Sequence, residues 1–561
     1  MPPLKTWLRR CVVWSAVGPL RWLYLRLYYA AAGVLAWLLA REPGVLAVYL
    51  RRGAAKGDLL PGVSDLDFAV ITDSRAGMPV AHRRPARFHT RRGWWAGLAR
   101  VANLVDPALQ GWRADELAQW HAMDLVTGFR FFEGQATWRR YSGRDYVADL
   151  PPEPPDWARA RLYAEVVEWW QRWVDRTMVH LPAEIEPINA TSSCYKTIAE
   201  VVRMRVALHT DVDPNLRREA LLAAPPHLRG DQLAFIERLE AHARRRFLAH
   251  DAALAEDAHR FFLGYMDELL AAMSAAGLGA ITRLEPLHID APAEEWPLAA
   301  GDRAYAEALA ARLERGWGFA FRGLYLTPMY CCLPQDAALL VEVDPARPPS
   351  LEQLIALRRE HAAAQSEQAH RLQLHLLTPH AAYHLGPDAV RDYWQMAATP
   401  FSAPELFAML RRPECSLRGA GWQGEAPLGH TLLVGQMLWC DKLRRRRQLE
   451  DPPRDGWGAR EIATTFWRWA RLEAMERLLE RGELRYCLTL PAVARALDAA
   501  GVPLPTVLAD RSRGPAIHTD APCEAMLQYA REVDPSGAVF RQPTPLTPTP
   551  GSSAIRLGAA G

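Results

Sequence analysis

Hydrophobic and polar positions alternate on two length scales along this chain. Short apolar runs bounded by turn residues read as strands, and longer stretches with apolar residues three and four apart read as helices. Residues 11–40 are strongly apolar but interrupted by Gly18-Pro19, Arg21 and Arg26, and the longest unbroken run, Leu27–Ala40, has 14 residues. Crossing a bilayer takes about 20. The run therefore predicts a helix buried in a core or packed on a partner, with membrane-surface association as the second reading and stable insertion not expected. No clear small-residue cleavage site follows it, so a signal peptide is not expected.

Val45–Leu50 is an apolar run rich in β-formers, and a loop bearing Gly53, Gly57 and Gly62 separates it from a second run, Ser64–Thr72. Two such runs around a Gly/Pro loop predict neighbouring strands. The basic loop His82–Arg92 follows, residues 95–128 have a helical pattern, and Phe129–Gly134 reads as a strand or turn. Prolines at 151, 152, 154 and 155 close this unit. From Trp157 to about Ala275 the spacing is helical, with a break at Pro225-Pro226; Ile198, Val201, Val202, Arg205 and Leu208 share one face.

The second half restarts the mixed pattern. Ala337–Val343 and Leu372–Thr378 predict strands, Leu351–Ala364 a helix, and Gly429 to Ala500 a helical region. Setting Asp65 against Asp336 aligns Ser64–Asp73 with Gln335–Asp344, and Arg130–Gly134 then finds an echo in Cys415–Gly419. This is the pattern of a worn internal repeat, in which Ala338 stands where Asp67 stands in the first copy. The expected divisions are an N-terminal helical segment (1–40), a mixed unit (41–152), a helical region (153–280), a second mixed unit (285–422), a second helical region (423–535) and a disordered tail (536–561).

Composition narrows the function classes. With 67 Lys+Arg against 64 Asp+Glu, the chain lacks the excess of cations expected of a dedicated nucleic-acid binder. The eight Cys form no C-x-x-C pair, so neither a zinc site nor a disulfide framework is indicated, and a reduced cytoplasmic setting fits. The 21 Trp are read as large buried rings.

The segment Gly53-Ala54-Ala55-Lys56-Gly57-Asp58-Leu59-Leu60-Pro61-Gly62-Val63-Ser64-Asp65-Leu66-Asp67 carries the candidate chemistry. Side chains two apart in a strand share a face, so Asp65 and Asp67 project together. Two carboxylates so close repel, and a divalent cation relieves the repulsion. Glycines upstream let a backbone approach phosphates closely. Solvated Asx-turn roles for the same aspartates are the plain alternative. Lys56, Arg51 and Arg52 flank the loop as phosphate-neutralising candidates or solvated charges; Lys196 and Arg203 sit on a helix that can reach a cleft; Arg444–Arg447 read as a solvated helix face.

With these residues in this order, the chain resembles bacterial nucleotidyltransferases of the DNA polymerase beta superfamily, similar to the aminoglycoside adenylyltransferase type. Similarity is clear over about 45–73 and looser to about 275, through Arg130–Gly134, Gly143-Arg144-Asp145 and Leu150-Pro151-Pro152. The resemblance implies an α+β fold: a small mixed sheet with helices at 41–152, then an α-helical domain, with 285–422 as a degenerate second copy. It implies that Asp65 and Asp67 bind catalytic Mg²⁺, two ions in all. Gly53, Ala54, Lys56 and Ser64 would shape the nucleotide pocket. A third carboxylate would come from a later strand, with Asp106 the first choice and Glu116 and Asp124 the alternatives. Ala54 departs from the Ser or Gly that usually follows the family's first glycine.

The implied activity is transfer of a nucleoside monophosphate, AMP from ATP first among them, to a hydroxyl of a small-molecule or protein acceptor with release of pyrophosphate. The other expectation is a catalytically decayed nucleotide-sensing or scaffold protein on the same fold. Transfer to RNA is a third, disfavoured by the near-neutral charge.

Overall fold

The apolar N-terminus folds as two helices, α1 (Pro3–Ser15) and α2 (Gly18–Leu39), because Gly18-Pro19 interrupts it. Gly18 turns in the left-handed region (φ +46°), and Pro19 occupies the first turn of α2, where a missing N–H leaves nothing unsatisfied. The computed structural model describes residues 3–73, 107–122, 131–153, 187–210, 216–244 and 252–275, then 288–290, 300–328, 337–367, 372–380, 382–385, 412–419, 459–481, 485–487 and 489–509, and 523–534, with isolated positions between them. They fall in two compact units, Met1–Met266 and Asp267–Gly561.

In the first unit β1 (Val45–Leu50) leads into the short helix α3 (Arg52–Lys56) and β2 (Leu66–Thr72). Next come β3 (Pro107–Arg113), α4 (Leu117–Ala122), α5 (Phe131–Thr137) and β4 (Arg139–Gly143). The sheet order is β3-β2-β1-β4, with β2 parallel to β3 and β1 antiparallel to both β2 and β4. β1 has no charged residue and its only side-chain polar atom, the Tyr49 hydroxyl, bonds within the protein, so both its faces must be covered. Tyr28, Ala32, Leu35, Ala36 and Leu39 of α2 pack against Val48, Leu50, Phe68 and Val70. Near the sheet, Trp112 stacks with Trp138 at 6.1 Å and meets Phe131 edge-on at 5.2 Å, while Tyr49 lies 5.9 Å from Trp138. Among the described residues four helices follow: α6 (Pro187–His209), α7 (Arg217–Ala223), α8 (Gly230–Arg244) and α9 (Ala252–Ala275), which runs past the division between the units. A 3₁₀ turn at Pro225–His227 makes the expected break, and Ile198, Val201 and Val202 are buried as the spacing predicts.

The second unit contains β5 (His288–Asp290), α10 (Ala300–Trp317), β6 (Phe321–Pro328) and β7 (Ala337–Val343). It continues with α11 (Leu351–Glu367), β8 (Leu372–Leu377), β9 (Ala382–His384) and β10 (Ser416–Arg418). Its sheet order is β10-β6-β7-β8-β9. β11 (Arg485–Cys487) pairs separately with β5, in parallel. α12 (Ala459–Glu480), α13 (Leu490–Ala499), α14 (Thr506–Ala509) and α15 (Cys523–Val533) enclose a core that includes Phe466, Trp467 and Trp469.

The four strands of the first sheet recur in the second, which adds β9 at one edge. β6, β7, β8 and β10 have the order and mutual directions of β1, β2, β3 and β4. The register agrees as well: Leu50 pairs with Phe68 and Tyr49 with Ala69, as Leu326 pairs with Leu339 and Tyr325 with Leu340. The sequence alignment of Leu66–Thr72 with Ala337–Val343 is therefore the structural one. The second echo is misplaced: Phe131–Gly134 is helical, and the segment of the first unit that corresponds to Cys415–Gly419 is Arg139–Gly143. Gly143 and Gly419 both end their edge strands in the left-handed region, at φ +78° and +99°.

Several expectations change. Residues 95–128 are not a continuous helix, since β3 occupies 107–113, and Phe131–Thr137 is helical rather than extended. Arg445 and Arg446 are buried rather than on a solvated face, with Arg446 donating to the Asp534 carbonyl at 3.2 Å. Trp7, Trp14, Trp22 and Trp37 are exposed, against the reading of tryptophans as core. The loop 82–92 and the tail 536–561 lie outside the described residues.

A Cβ on Gly143 would overlap the Leu46 carbonyl, whereas one on Gly57, also left-handed at φ +88°, meets nothing within 4 Å. Gly143→Ala therefore carries a steric cost beyond the backbone cost of about 1–2 kcal/mol that Gly57→Ala shares. Thermal unfolding of the two variants should show a clearly larger drop in melting temperature for Gly143→Ala.

Candidate functional site

The candidate site is built where β1 ends and β2 begins. Arg51 closes β1, its N–H donating to the Asp67 carbonyl at 2.8 Å. Its guanidinium is buried over Trp138 and Trp112, 4.5 and 5.3 Å from the ring centroids. Arg51 is thus a core cation, neither a solvated charge nor an open phosphate ligand. Arg52 begins α3 with φ +52°, the one left-handed non-glycine among the described residues. The turn expected at Gly53 is therefore made by Arg52. Strain of this kind in a side-chain-bearing residue costs about 1–3 kcal/mol and concentrates at functional sites.

The loop that follows is closed from within and clamped from outside. Gly57 ends α3, and Asp58 N–H donates to the Gly53 carbonyl at 2.7 Å. Ser64 Oγ accepts from Leu60 N–H at 2.9 Å, while Ser64 N–H returns to the Leu60 carbonyl at 2.8 Å. Ser64 is buried and shapes the loop through these bonds. Gly62 donates to Tyr28 Oη at 2.6 Å and accepts from Arg9 Nε at 2.5 Å. A Cβ there would come within 2.6 Å of Val13, so α1 and α2 grip the loop with no room for a side chain. Ala54 is buried in the core beneath α2. Its methyl group lies in that core, so the departure from Ser does not open a gap in an exposed phosphate cradle.

Asp65 is exposed and Asp67 is half-buried, two residues apart at the head of β2. Burial raises the Asp67 pKa above the ordinary aspartate range, the Asp65 charge raises it further, and Arg52, Arg51 and Lys196 oppose the rise. Arg52 Nη1 stands 3.7 Å from Asp67 Oδ1. Lys196, on α6, also acts on Asp58, whose carboxyl is raised by burial although Arg217 Nη1 donates to it at 2.7 Å. Arg217 lies 3.8 Å from Glu200, which takes Arg203 at 3.1 Å. Lys56 is paired with Glu133, a partner on α5 that the sequence did not suggest.

The predicted residues therefore separate into groups. Asp65, Asp67 and Lys196 come together electrostatically; Gly53, Ala54 and Ser64 form or support the loop; Lys56 and Arg203 have acidic partners. Asp106, the first choice for a third carboxylate, lies outside the described residues, as does Asp124; Pro107, the next residue, pairs with Leu66. Glu116 is buried beside Arg113 at 3.6 Å. No group of three metal-ligating side chains occurs among the described residues. The available oxygens suit a hard divalent cation that keeps water or substrate phosphate among its ligands.

No protein-family model matches the chain, and no curated protein matches it.

Because the folded state holds Asp67 at a raised pKa, ionising it costs stability. That stability is present below the unfolded aspartate pKa of about 3.9 and is lost as pH rises through the folded value. In metal-free buffer, Asp67→Asn should raise the melting temperature at pH 7. The gain should shrink as the pH is lowered toward about 4. A calorimetric pH series on both proteins reads this directly.

Proposed function

We propose that the first unit is a Mg²⁺-dependent nucleotidyltransferase, moving a nucleoside monophosphate, AMP from ATP first, to a hydroxyl of a small-molecule or protein acceptor. The observation that carries this reading is Asp67 at the head of an inner strand, with Asp65 just before that strand acting on its charge and Lys196 within electrostatic reach of Asp67. A mixed sheet with β1 antiparallel and β3 parallel to β2 supports the polymerase-beta-like architecture.

In this reading the acceptor oxygen attacks the α-phosphorus, its proton passes to a carboxylate base, the bond to the β-phosphate bridge breaks, and pyrophosphate leaves. Asp106 is the candidate base. Asp65 and Asp67 would hold the metal, whose charge would offset the negative charge on the phosphates. Lys196 binds and orients the phosphates from the helical side. The demands on the protein are positioning and charge neutralisation rather than covalent help.

A nucleotide-sensing or scaffold role is the second reading, and Arg52 favours it: a tethered cation already stands beside Asp67. The second unit, with Ala338 at the position of Asp67, is read as a degenerate copy without the carboxylate pair.

Pyrophosphate release from each of the four nucleoside triphosphates, with Mg²⁺ and a metabolite extract as acceptor source, tests the proposal. Release that needs the extract and is lost in Asp65→Asn/Asp67→Asn supports it; nucleotide binding without release supports the sensing role. Arg52→Gly should raise the melting temperature by relieving the left-handed strain and tighten Mn²⁺ binding, read by titration calorimetry on the nucleotide-free protein. Weaker Mn²⁺ binding in that variant would show that Arg52 does not compete for the carboxylate.

A further inference from the structure

Among the described residues, ten of the fourteen exposed large hydrophobic side chains fall between Trp7 and Trp37. Helices α1 and α2 thus carry a concentrated apolar surface unlike the scattered exposed residues of an ordinary protein face. On α2 the residues split into two stripes. Tyr28, Ala32, Leu35, Ala36 and Leu39 belong to the core against the sheet. Leu20, Leu23, Leu27, Val34 and Trp37 are exposed and, at 3.6 residues per turn, fall within a sector of about 100° on the other side. Trp7, Trp14, Trp22 and Trp37 expose 53–68% of their surface.

The charge accompanying this surface is of one sign. The first 41 residues contain six Lys and Arg and no Asp or Glu. Arg21 and Arg26 are exposed on α2, Arg26 lies 5.0 Å over the Trp22 ring, and Arg41 lies 3.3 Å over Trp37. Exposed tryptophans, arginine heads and an apolar stripe together suit the boundary between lipid headgroups and acyl chains. A second copy of the same face would bring cation against cation in a two-fold pair, whereas anionic headgroups complement it.

We propose that α1 and α2 form a docking surface for an anionic lipid bilayer, lying in its interface rather than crossing it. Crossing would strip the inner stripe of α2 from the sheet and break the Tyr28–Gly62 hydrogen bond. The surface sits on the unit that carries Asp65 and Asp67, so the chain would act beside a membrane whichever reading of that site holds.

Co-sedimentation of the full chain with phosphatidylcholine vesicles, with and without phosphatidylglycerol, tests this. Binding should be at least roughly tenfold tighter to the anionic vesicles and should weaken with salt. Arg21→Glu/Arg26→Glu, which changes only exposed positions, should lose most of that binding while its circular dichroism and melting temperature match the wild type. Leu23→Gln/Leu27→Gln should weaken binding to anionic vesicles with little change in its salt dependence. No binding to anionic vesicles overturns the proposal, as does equal binding to both kinds. Self-association by light scattering without vesicle binding also overturns it, and would assign the face to a second copy.

Discussion

The first unit is organised by a strand that has nothing to offer water. From Val45 to Leu50 the one polar side-chain atom is the Tyr49 hydroxyl, which is hydrogen-bonded within the protein, and four of the six residues are fully buried. Such a strand is stable only between two covered faces. α2 supplies one cover with a stripe that alternates large and small residues, so the helix can lie close on the sheet. Burying a side chain the size of Leu or Val contributes about 1.5–3 kcal/mol, so this packing can carry the strain and charge placed at the end of the strand.

That charge is arranged rather than neutralised. Burial and the neighbouring Asp65 charge raise the cost of ionising Asp67, and three cations from different parts of the chain oppose it without closing around the carboxylate. Arg51 is fixed by tryptophans, Arg52 by a left-handed backbone and Lys196 by a helix, so none depends on a flexible loop for its place. Asp58, Arg217, Glu200 and Arg203 form a neighbouring chain of paired charges that links α7 and α6 to the loop. On the proposed reading, its ligand would bring both negative phosphate and a positive ion.

Much of this was legible in the sequence where burial dictates residue type. β1, β2 and β7 stand out because buried strands are largely continuous apolar runs, β8 stands out by its leucines at 372, 374, 376 and 377, and the repeat was visible because β2 and β7 are of the same kind. β3 was hidden by its own composition: Ala108, Leu109 and Gln110 favour a helix, and pairing with β2 overrides them. β4 was hidden because an edge strand of Arg139, Arg140, Tyr141 and Ser142 carries no alternating pattern, and only the crowding at Gly143 marks its place. The left-handed Arg52 was not legible, since sequence directs attention to the adjacent Gly53. The aspartate pair was legible because two carboxylates two apart at the start of an apolar strand conflict with everything around them.

The grip on Gly62 joins parts that the sequence keeps apart. Val13 fills the space a side chain would need, Arg9 holds the carbonyl, and Tyr28 holds the N–H. A helix and a loop fastened at three points have little freedom to slide past each other. Lateral pressure or a tilt imposed on α1 and α2 from outside would be felt as a change in where the chain delivers Asp65. The two helices therefore serve the loop as a lever arm serves its hinge pin, with very little slack between them.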